Sequence, residues 1–294
     1  MTSINYKQYF YNYLTRHQFD NRVYGFEEIL KDAIRSFTKL SGVDLDQKVS
    51  ANLKRHWNDL KKMIDEDEID GIIPILEIVN DTSRLVLPSA YGNKYDITTK
   101  NKHWISKRNE ILSFIDKLND REYEYLSCYL CRCLSASKVL VTPPGNEGGI
   151  DFIAEIKFSK NSHFLFGTNG PIRIIGQSKM YGKAVDPSDI KEFNSTMNDV
   201  YSHAPKVSDV LPSWFKSSKG IIIPWFISHN GFKSGAMTRA KRYGIVATDS
   251  RMVTEQIALS AKFGKDVGKS TIMIELHRII DEIKADKIVN PSLK

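Results

Sequence analysis

Apolar positions in the first part of the chain recur with the spacing of a helix. Residues 26–40 and 51–66 each carry apolar side chains three and four positions apart, which predicts two amphipathic helices. Residues 83–99 show a different pattern, which indicates a short strand, a turn at Tyr91-Gly92-Asn93 and a second short strand. We therefore expect a mainly helical N-terminal region that also contains a small hairpin.

A polar stretch at residues 99–108 separates this region from a chain of different character. We interpret the stretch as a seam between two domains, residues 1–115 and residues 116–294. The length of 294 residues agrees with two domains, since one compact domain rarely reaches this size.

Beyond the seam, helical and strand patterns alternate. Residues 122–134 are apolar nearly all round, which predicts a buried helix. Because Pro224 cannot donate a ladder hydrogen bond, we expect the central strand to begin at Trp225. The predicted strand segments are 139–142, 150–158, 172–179, 220–228 and 245–249.

Two further helices have clear end signals. Asp186 followed by Pro187 predicts a capped start, and Gly244 predicts the end of a helix over residues 233–244. The alternation of strands and helices predicts an α/β domain in which helices cover both faces of one sheet.

Composition narrows the class of protein. With 41% hydrophobic and 26% charged residues, the chain resembles ordinary globular proteins. Lys and Arg outnumber Asp and Glu by 42 to 35, a surplus that fits a polyanionic partner and is also common in basic enzymes. We find no run of about 18 apolar residues and no signal-peptide pattern, so we expect a cytoplasmic protein without a membrane span.

Cys128, Cys131 and Cys133 lie close together in the predicted buried helix. A structural zinc site needs four ligands, and no fourth Cys or His lies nearby in the sequence. We interpret the three as reduced, small core residues.

Three polar residues stand at the ends of two predicted strands. Asp151 follows two glycines and begins one strand, while Gln177 and Lys179 end another. Alternation along a strand places Gln177 and Lys179 on the same face. If the two strands pair, all three side chains converge.

Such a trio suits metal-assisted phosphodiester hydrolysis. Mg²⁺ binds oxygen ligands, which Asp151, the Gln177 amide and the Ser178 backbone carbonyl would supply. Lys179 would orient or activate the attacking water. The alternative is a turn aspartate and a solvent-exposed strand end, and spacing alone leaves both possibilities open.

Three sequence blocks resemble a known family. GNEGGIDFIA, IIGQSKMYGKAVDPSDIKEF and GIIIPWFISHNGFKSGAMTRAKRYGIVATDSRMV occur in this order and resemble the catalytic domain of Mrr-like restriction endonucleases. That group lies within the PD-(D/E)xK nuclease superfamily, and the resemblance covers residues 116–260. It implies a restriction-endonuclease-like core, a mixed sheet flanked by helices, with Mg²⁺-dependent DNA cleavage by Asp151, Gln177 and Lys179.

Glu124 is a further candidate from the same resemblance. Tyr123-Glu124 is similar to an aromatic-glutamate pair that the family often carries in the helix before the first strand. On its helix, Glu124 shares a face with Cys128 and Cys131, so its carboxylate needs a partner. That partner is a metal, its water or Lys179; the alternatives are an ordinary buried salt bridge and an exposed helix end.

Basic residues in the first domain form a candidate DNA-binding set, although each is also consistent with a solvated surface charge. Helices followed by a hairpin would suit a winged-helix-like reader of DNA. The set consists of Lys54, Arg55, Lys61, Lys62, Lys100 and Lys102.

The combined prediction is a Mg²⁺-dependent DNA endonuclease of the restriction type. Residues 1–115 would select double-stranded DNA, residues 116–294 would cut it, and a homodimer would cut both strands. The alternatives are a repair or junction-resolving nuclease of the same fold, and a DNA-binding module that has lost catalysis.

Overall fold

The structure is a computed structural model and describes residues 6–69, 71–95, 99–144, 148–157, 170–260 and 269–289. The chain divides into two compact units, Met1–Asn109 and Glu110–Lys294. Among the described residues, no helix combines the length and the apolar character that a membrane crossing requires.

The first unit combines helices with a small antiparallel sheet. Its sheet has the order β1-β3-β2. The predicted helix at 26–40 is confirmed, and the apolar stripe of that helix is buried in the core. The elements are α1 (Tyr6–Arg16), β1 (Tyr24–Gly25), α2 (Phe26–Phe37), α3 (Gly42–Ile69), β2 (Leu76–Asn80) and β3 (Leu85–Pro88).

The hairpin of this unit differs from the prediction. Strand β3 lies within residues 83–99, as expected, but it pairs with the preceding strand β2. Leu76 of β2 is buried in the core of the unit. Lys94 and Tyr95, in the segment predicted as a strand, instead contact the Glu68 carboxylate. Residues 96–98 lie outside the described residues. The partner of β3 is therefore the more apolar strand β2, in place of the polar segment predicted downstream.

The predicted seam at residues 99–108 lies next to the division between the two units, but it is helical. Residues Thr99–Ile115 form one helix, α4. The stretch contains no Gly or Pro, and buried residues such as Ile111 and Ile115 extend the helical pattern beyond it. The polar composition of residues 99–108 did not reveal that they are helical.

The second unit is an α/β domain, as predicted. Its five-stranded sheet has the order β4-β5-β6-β7-β8. Strands β4, β5 and β6 pair antiparallel, and β6, β7 and β8 pair parallel, so the sheet is mixed. The strands are β4 (Ala136–Val141), β5 (Phe152–Ile156), β6 (Ile172–Lys179), β7 (Ile222–Ser228) and β8 (Val246–Asp249).

Helices flank this sheet. The ends predicted for two of them are confirmed: α6 begins at Pro187 after Asp186, and α9 ends before Gly244, which has a left-handed conformation with a φ of 66°. The helices are α5 (Asp120–Cys133), α6 (Pro187–Tyr201), α7 (Pro205–Ser208), α8 (Ser213–Ser217), α9 (Ser234–Tyr243), α10 (Ser250–Leu259) and α11 (Lys269–Val289).

Pro224 lies inside β7, which corrects the predicted start at Trp225. It pairs in register with Ile175 of β6. The Arg173 N–H donates to the Ile221 carbonyl. The backbone N–H and C=O groups of odd-numbered residues in β7 therefore point toward β6, and the backbone nitrogen of Pro224 points toward β8. Pairing with β8 begins only at Trp225. The missing N–H of Pro224 therefore points where no strand needs it.

The three cysteines are free thiols on α5. Cys128 and Cys131 are fully buried, and Cys133 is half-buried. Burial raises the pKa of the Cys131 thiol well above its usual value, which keeps this thiol protonated. The structure thus agrees with their interpretation as small core residues.

Candidate active site

The start of β5 and the end of β6 meet at one edge of the mixed sheet. Phe152 pairs with Gly176, and Asp151 directly precedes this pair. The Ser178 N–H donates to Oδ2 of Asp151 over 2.7 Å. The structure therefore brings the Asp151 carboxylate into direct contact with the backbone between Gln177 and Lys179.

The backbone direction of β6 determines what else faces Asp151. In an extended strand, the N–H and C=O of one residue point to the same side. Because the Ser178 N–H points to Asp151, its carbonyl points to that side as well. The backbone carbonyl of Lys179 points the opposite way, toward β7, where it accepts from the His229 N–H over 2.9 Å. Asp151 and the Ser178 carbonyl thus share one edge.

The Gln177 and Lys179 side chains share a strand face with Ile175. Ile175 belongs to the core cluster that contains residues of α6 and α9. Gln177 is buried, with 7% exposure, and Lys179 is half-buried. In the part of the chain that the structure describes, the Gln177 amide makes no side-chain hydrogen bond, although it lies beside the buried Asp151.

Hydrogen bonds hold the backbone at Gly148 and at Asp151. Gly148 and Gly149 have φ angles of 55° and 83°, which favour glycine. Thr196 on α6 donates through Oγ1 to the Gly148 carbonyl over 3.1 Å. On the other side, the Thr142 N–H donates to the Asp151 carbonyl over 3.0 Å. These bonds hold the aspartate at the strand edge.

Gly176 is a part of the site that the sequence analysis missed. A Cβ at this position would lie 1.9 Å from Cζ of Phe152. The Phe152 ring covers Gly176 and packs edge-on against Trp225, with ring centroids 5.9 Å apart. A glycine inside an apolar strand, one residue before Gln177, was the available signal.

Lys179 lies near an aromatic ring. Its Nζ is 5.7 Å from the centroid of Tyr181. This distance is within the range in which the face of a ring attracts a cation. The ammonium therefore has a local partner two residues further along the chain.

Glu124 forms an ordinary salt bridge, one of the alternatives left open by the sequence. Its carboxylate pairs with Arg121 one turn earlier on α5. Arg121 also donates to the Thr142 carbonyl over 2.8 Å, which connects α5 to the residue that holds Asp151. Burial lowers the pKa of Arg121, but hydrogen bonding to Tyr125 and the charge of Glu124 outweigh this effect and raise it. A metal-ligand role for Glu124 stays a prediction.

The donors at the strand edge fit a hard divalent cation. The described residues contain no cluster of three or more His, Cys, Asp or Glu side chains that could hold a metal. Mg²⁺ does not need such a cluster, because it commonly binds one or two carboxylates and keeps several waters. Asp151, the Gln177 amide oxygen and the Ser178 carbonyl provide oxygen donors of this kind.

The predicted DNA-binding residues fall on two helices. Lys54, Arg55 and Lys62 are exposed on α3. Lys61 lies on the same helix and pairs with Asp81 over 3.4 Å. Lys100 and Lys102 belong to α4, but their side chains lie outside the described residues. The structure thus places four of the six on one helix.

Comparisons with solved structures give weak overall similarities. MspJI restriction endonuclease in complex with a 27-mer oligonucleotide matches with a TM-score of 0.36 and 13% identity, over 63% of this chain and 39% of that chain. Restriction endonuclease FokI matches with a TM-score of 0.31 and 12% identity, over 90% of this chain and 48% of that chain. This chain therefore spans less than half the length of either. No curated protein matches it.

A family comparison covers most of the second unit. Residues 115–257 match the model of the Mrr catalytic domain, described as a restriction endonuclease. The match includes the paired strands β5 and β6, Asp151, and the Gln177–Lys179 strand end. It confirms the resemblance found in the sequence. Residues 115–257, just under half of the chain, are thus similar to the catalytic domain of Mrr-type restriction endonucleases.

Proposed function

We propose that this protein is a Mg²⁺-dependent endonuclease that cuts double-stranded DNA in a restriction system. The observation that carries the proposal is the 2.7 Å hydrogen bond from the Ser178 N–H to the Asp151 carboxylate. It brings a buried carboxylate to a strand end that also carries an amide and an ammonium. The family match supports the same chemistry.

The roles follow from the positions of the groups. Asp151, the Gln177 amide oxygen and the Ser178 carbonyl would hold the divalent cation, which would supply Lewis-acid stabilisation of charge on the phosphate. Asp151 also accepts the Ser178 N–H, so its orientation is set before substrate arrives. Lys179 would orient the attacking water and stabilise negative charge on the phosphate. Glu124 remains a candidate outer ligand, for which the Arg121 ion pair is a competitor.

The first unit would select the DNA. Its element order, helix, short strand, two helices and hairpin, with β1 beside β3, supports the winged-helix expectation. The connection from α2 to α3 spans residues 38–41, a length typical of a helix-turn-helix. In that motif the second helix enters the major groove. Helix α3 carries the exposed Lys54, Arg55 and Lys62, which would contact phosphates.

A homodimer would complete the reaction. Each chain carries one Asp151 site, and a duplex has two strands to cut, so two protomers related by a twofold axis would each cut one. A protein with this task would work in the cytoplasm with the DNA.

The test is cleavage of defined DNA. We would incubate the protein with Mg²⁺ and linear duplex, methylated duplex or four-way junction DNA, beside the Asp151→Asn variant. The proposal expects cuts in linear duplex by the wild type and none by the variant. A preference for junctions would instead assign the protein to branched-DNA processing, and binding without any cut would leave a DNA-binding module.

A further inference from the structure

Beyond the strand end, a chain of polar contacts surrounds His229. Nε2 of His229 lies 2.7 Å from Oδ1 of Asp116, and Nδ1 lies 3.0 Å from Nδ2 of Asn230. The same Asn230 amide nitrogen donates to the Tyr181 carbonyl over 2.5 Å. The His229 side chain is 12% exposed and that of Asp116 is 31% exposed, so the imidazole ring is the more shielded partner of this pair.

The chemistry of each group determines which atom donates and which accepts in the contacts around His229. An amide nitrogen has two hydrogens and only donates. One hydrogen of Asn230 goes to the Tyr181 carbonyl, and the other goes to Nδ1 of His229, which accepts. Nε2 of His229 then carries the hydrogen and donates to Asp116. Both ring nitrogens are occupied, so the geometry assigns His229 a positioning role.

The polar contacts around His229 are connected to β6, the strand that carries Lys179. The His229 N–H donates to the Lys179 carbonyl over 2.9 Å. Further on, the Val185 N–H donates to the Gly231 carbonyl over 2.9 Å, and the Lys233 N–H donates to Val185 over 3.0 Å. The segments after β6 and β7 therefore run side by side, and Asn230 ties them together at Tyr181.

Tyr181 connects this chain to the reacting edge. Its ring is 37% exposed, and its centroid lies 5.7 Å from Nζ of Lys179. A lysine has a flexible four-carbon stem, so its ammonium needs an external partner to stay in one place. The Tyr181 ring provides such a partner, because the backbone carbonyl of Tyr181 is bonded to Asn230.

We propose that Asp116, His229 and Asn230 form a positioning chain that fixes Tyr181, and that the Tyr181 ring holds the Lys179 ammonium at the catalytic edge. The proposal rests on the function proposed above, because it assigns the chain to the reaction of Lys179. Asp116, His229 and Asn230 act through Tyr181 and do not touch the substrate.

The first test reads the position of Lys179 without metal or DNA. Protons above the face of an aromatic ring shift upfield, so NMR of the Lys179 ε-methylene reports on the Tyr181 ring. Lys179→Met identifies the signal. We expect Tyr181→Phe to keep the upfield shift and Tyr181→Leu to remove it. Asn230→Ala and His229→Phe should reduce it, because the ring loses its anchor.

The second test reads the reaction. Asn230→Ala should slow single-turnover cleavage by about 10-fold to 100-fold, since a displacement near 1 Å at the reacting groups has an effect of this size. Its affinity for DNA should stay unchanged. Asn198→Ala, an exposed asparagine on α6, is the matched control and should leave both quantities unchanged.

The outcomes separate the two proposals. If Asn230→Ala folds normally, keeps the Lys179 shift and cuts at the wild-type rate, the positioning chain is overturned. If the wild type shows the shift but cuts no DNA, the proposed nuclease function fails while the positioning contacts stand. If Tyr181→Leu cuts as fast as the wild type, Tyr181 does not hold a lysine that matters for cleavage.

Discussion

The sheet edge formed by β5 and β6 in the second unit and the exposed face of α3 in the first unit present polar groups in opposite ways. At the edge, Asp151 and Gln177 are buried, with 4% and 7% exposure, and Asp151 is fixed by the Ser178 N–H. On α3, Lys54 and Arg55 are exposed. Chemistry needs groups at fixed positions, whereas phosphate contacts tolerate mobile charges. Single substitutions should therefore have large effects at the edge and small ones on α3.

The largest effect is expected for Asp151→Asn. The amide can still accept the Ser178 N–H, so the fold should remain, but the negative charge that attracts a cation is lost. We expect single-turnover cleavage to fall by about 10³-fold or more, the scale of removing a main electrostatic stabiliser. DNA binding in a gel-shift assay should stay unchanged. Cleavage within tenfold of the wild type would contradict the assignment of Asp151.

Lys179→Met should follow, with a loss of about 10²-fold to 10³-fold in cleavage rate, as for other groups that handle a proton or a water in the transition state. Met keeps most of the length of the side chain and removes the charge. Lys183→Met is the matched control, because Lys183 has 76% side-chain exposure and lies nearby in the sequence. Equal rates for the two variants would remove Lys179 from the mechanism.

Substitutions of Gln177 test whether its side-chain oxygen binds the cation. Gln177→Glu keeps an oxygen at the strand end and adds charge, so it should retain cleavage and require less Mg²⁺. Gln177→Ala removes the oxygen and should cut more slowly at every Mg²⁺ concentration. The Mg²⁺ dependence of single-turnover rates measures both. If Ala were tolerated better than Glu, the amide oxygen would not be a ligand.

Gly176→Ala tests the packing that supports the edge. The new methyl group would meet the Phe152 ring, so we expect the free energy of unfolding to fall by about 1–3 kcal/mol, the usual cost of overpacking. Denaturant unfolding measures this change. Gly182→Ala is the control, because a Cβ there meets no atom within 4 Å. Equal stabilities would show that Phe152 does not constrain Gly176.

The smallest effect is expected on α3. Arg55→Ala should weaken DNA binding modestly and reduce the slope of binding against salt by about one. The cleavage rate at saturating protein should be unchanged. Lys94→Ala, whose amine is paired with Glu68, is the control. A loss of cleavage at saturation would show that α3 does more than bind.

The sequence predicted the second unit well where the pattern was local. Strand β6 has the predicted bounds, because its isoleucines lie between Ile172 and Ile175 and its polar end is marked by Gln177 and Lys179. The ends of α6 and α9 follow from Pro187 and Gly244 in the same way.

The errors concern choices that depend on a distant partner. The partner of β3 was assigned downstream, while the structure pairs it with β2. Pro224 fits inside β7 because β8 begins later than expected. The contacts around His229 join residues 113 positions apart, a distance that no local pattern reveals.

Nicking of supercoiled plasmid, with and without excess EDTA, tests the central claim most directly. The account predicts that the wild type converts the plasmid in Mg²⁺ and stops completely when EDTA is in excess. It also predicts that Asp151→Asn leaves the plasmid intact in both conditions. Cutting that persists in EDTA, or in the Asp151→Asn variant, would contradict a metal-dependent reaction at the edge formed by β5 and β6.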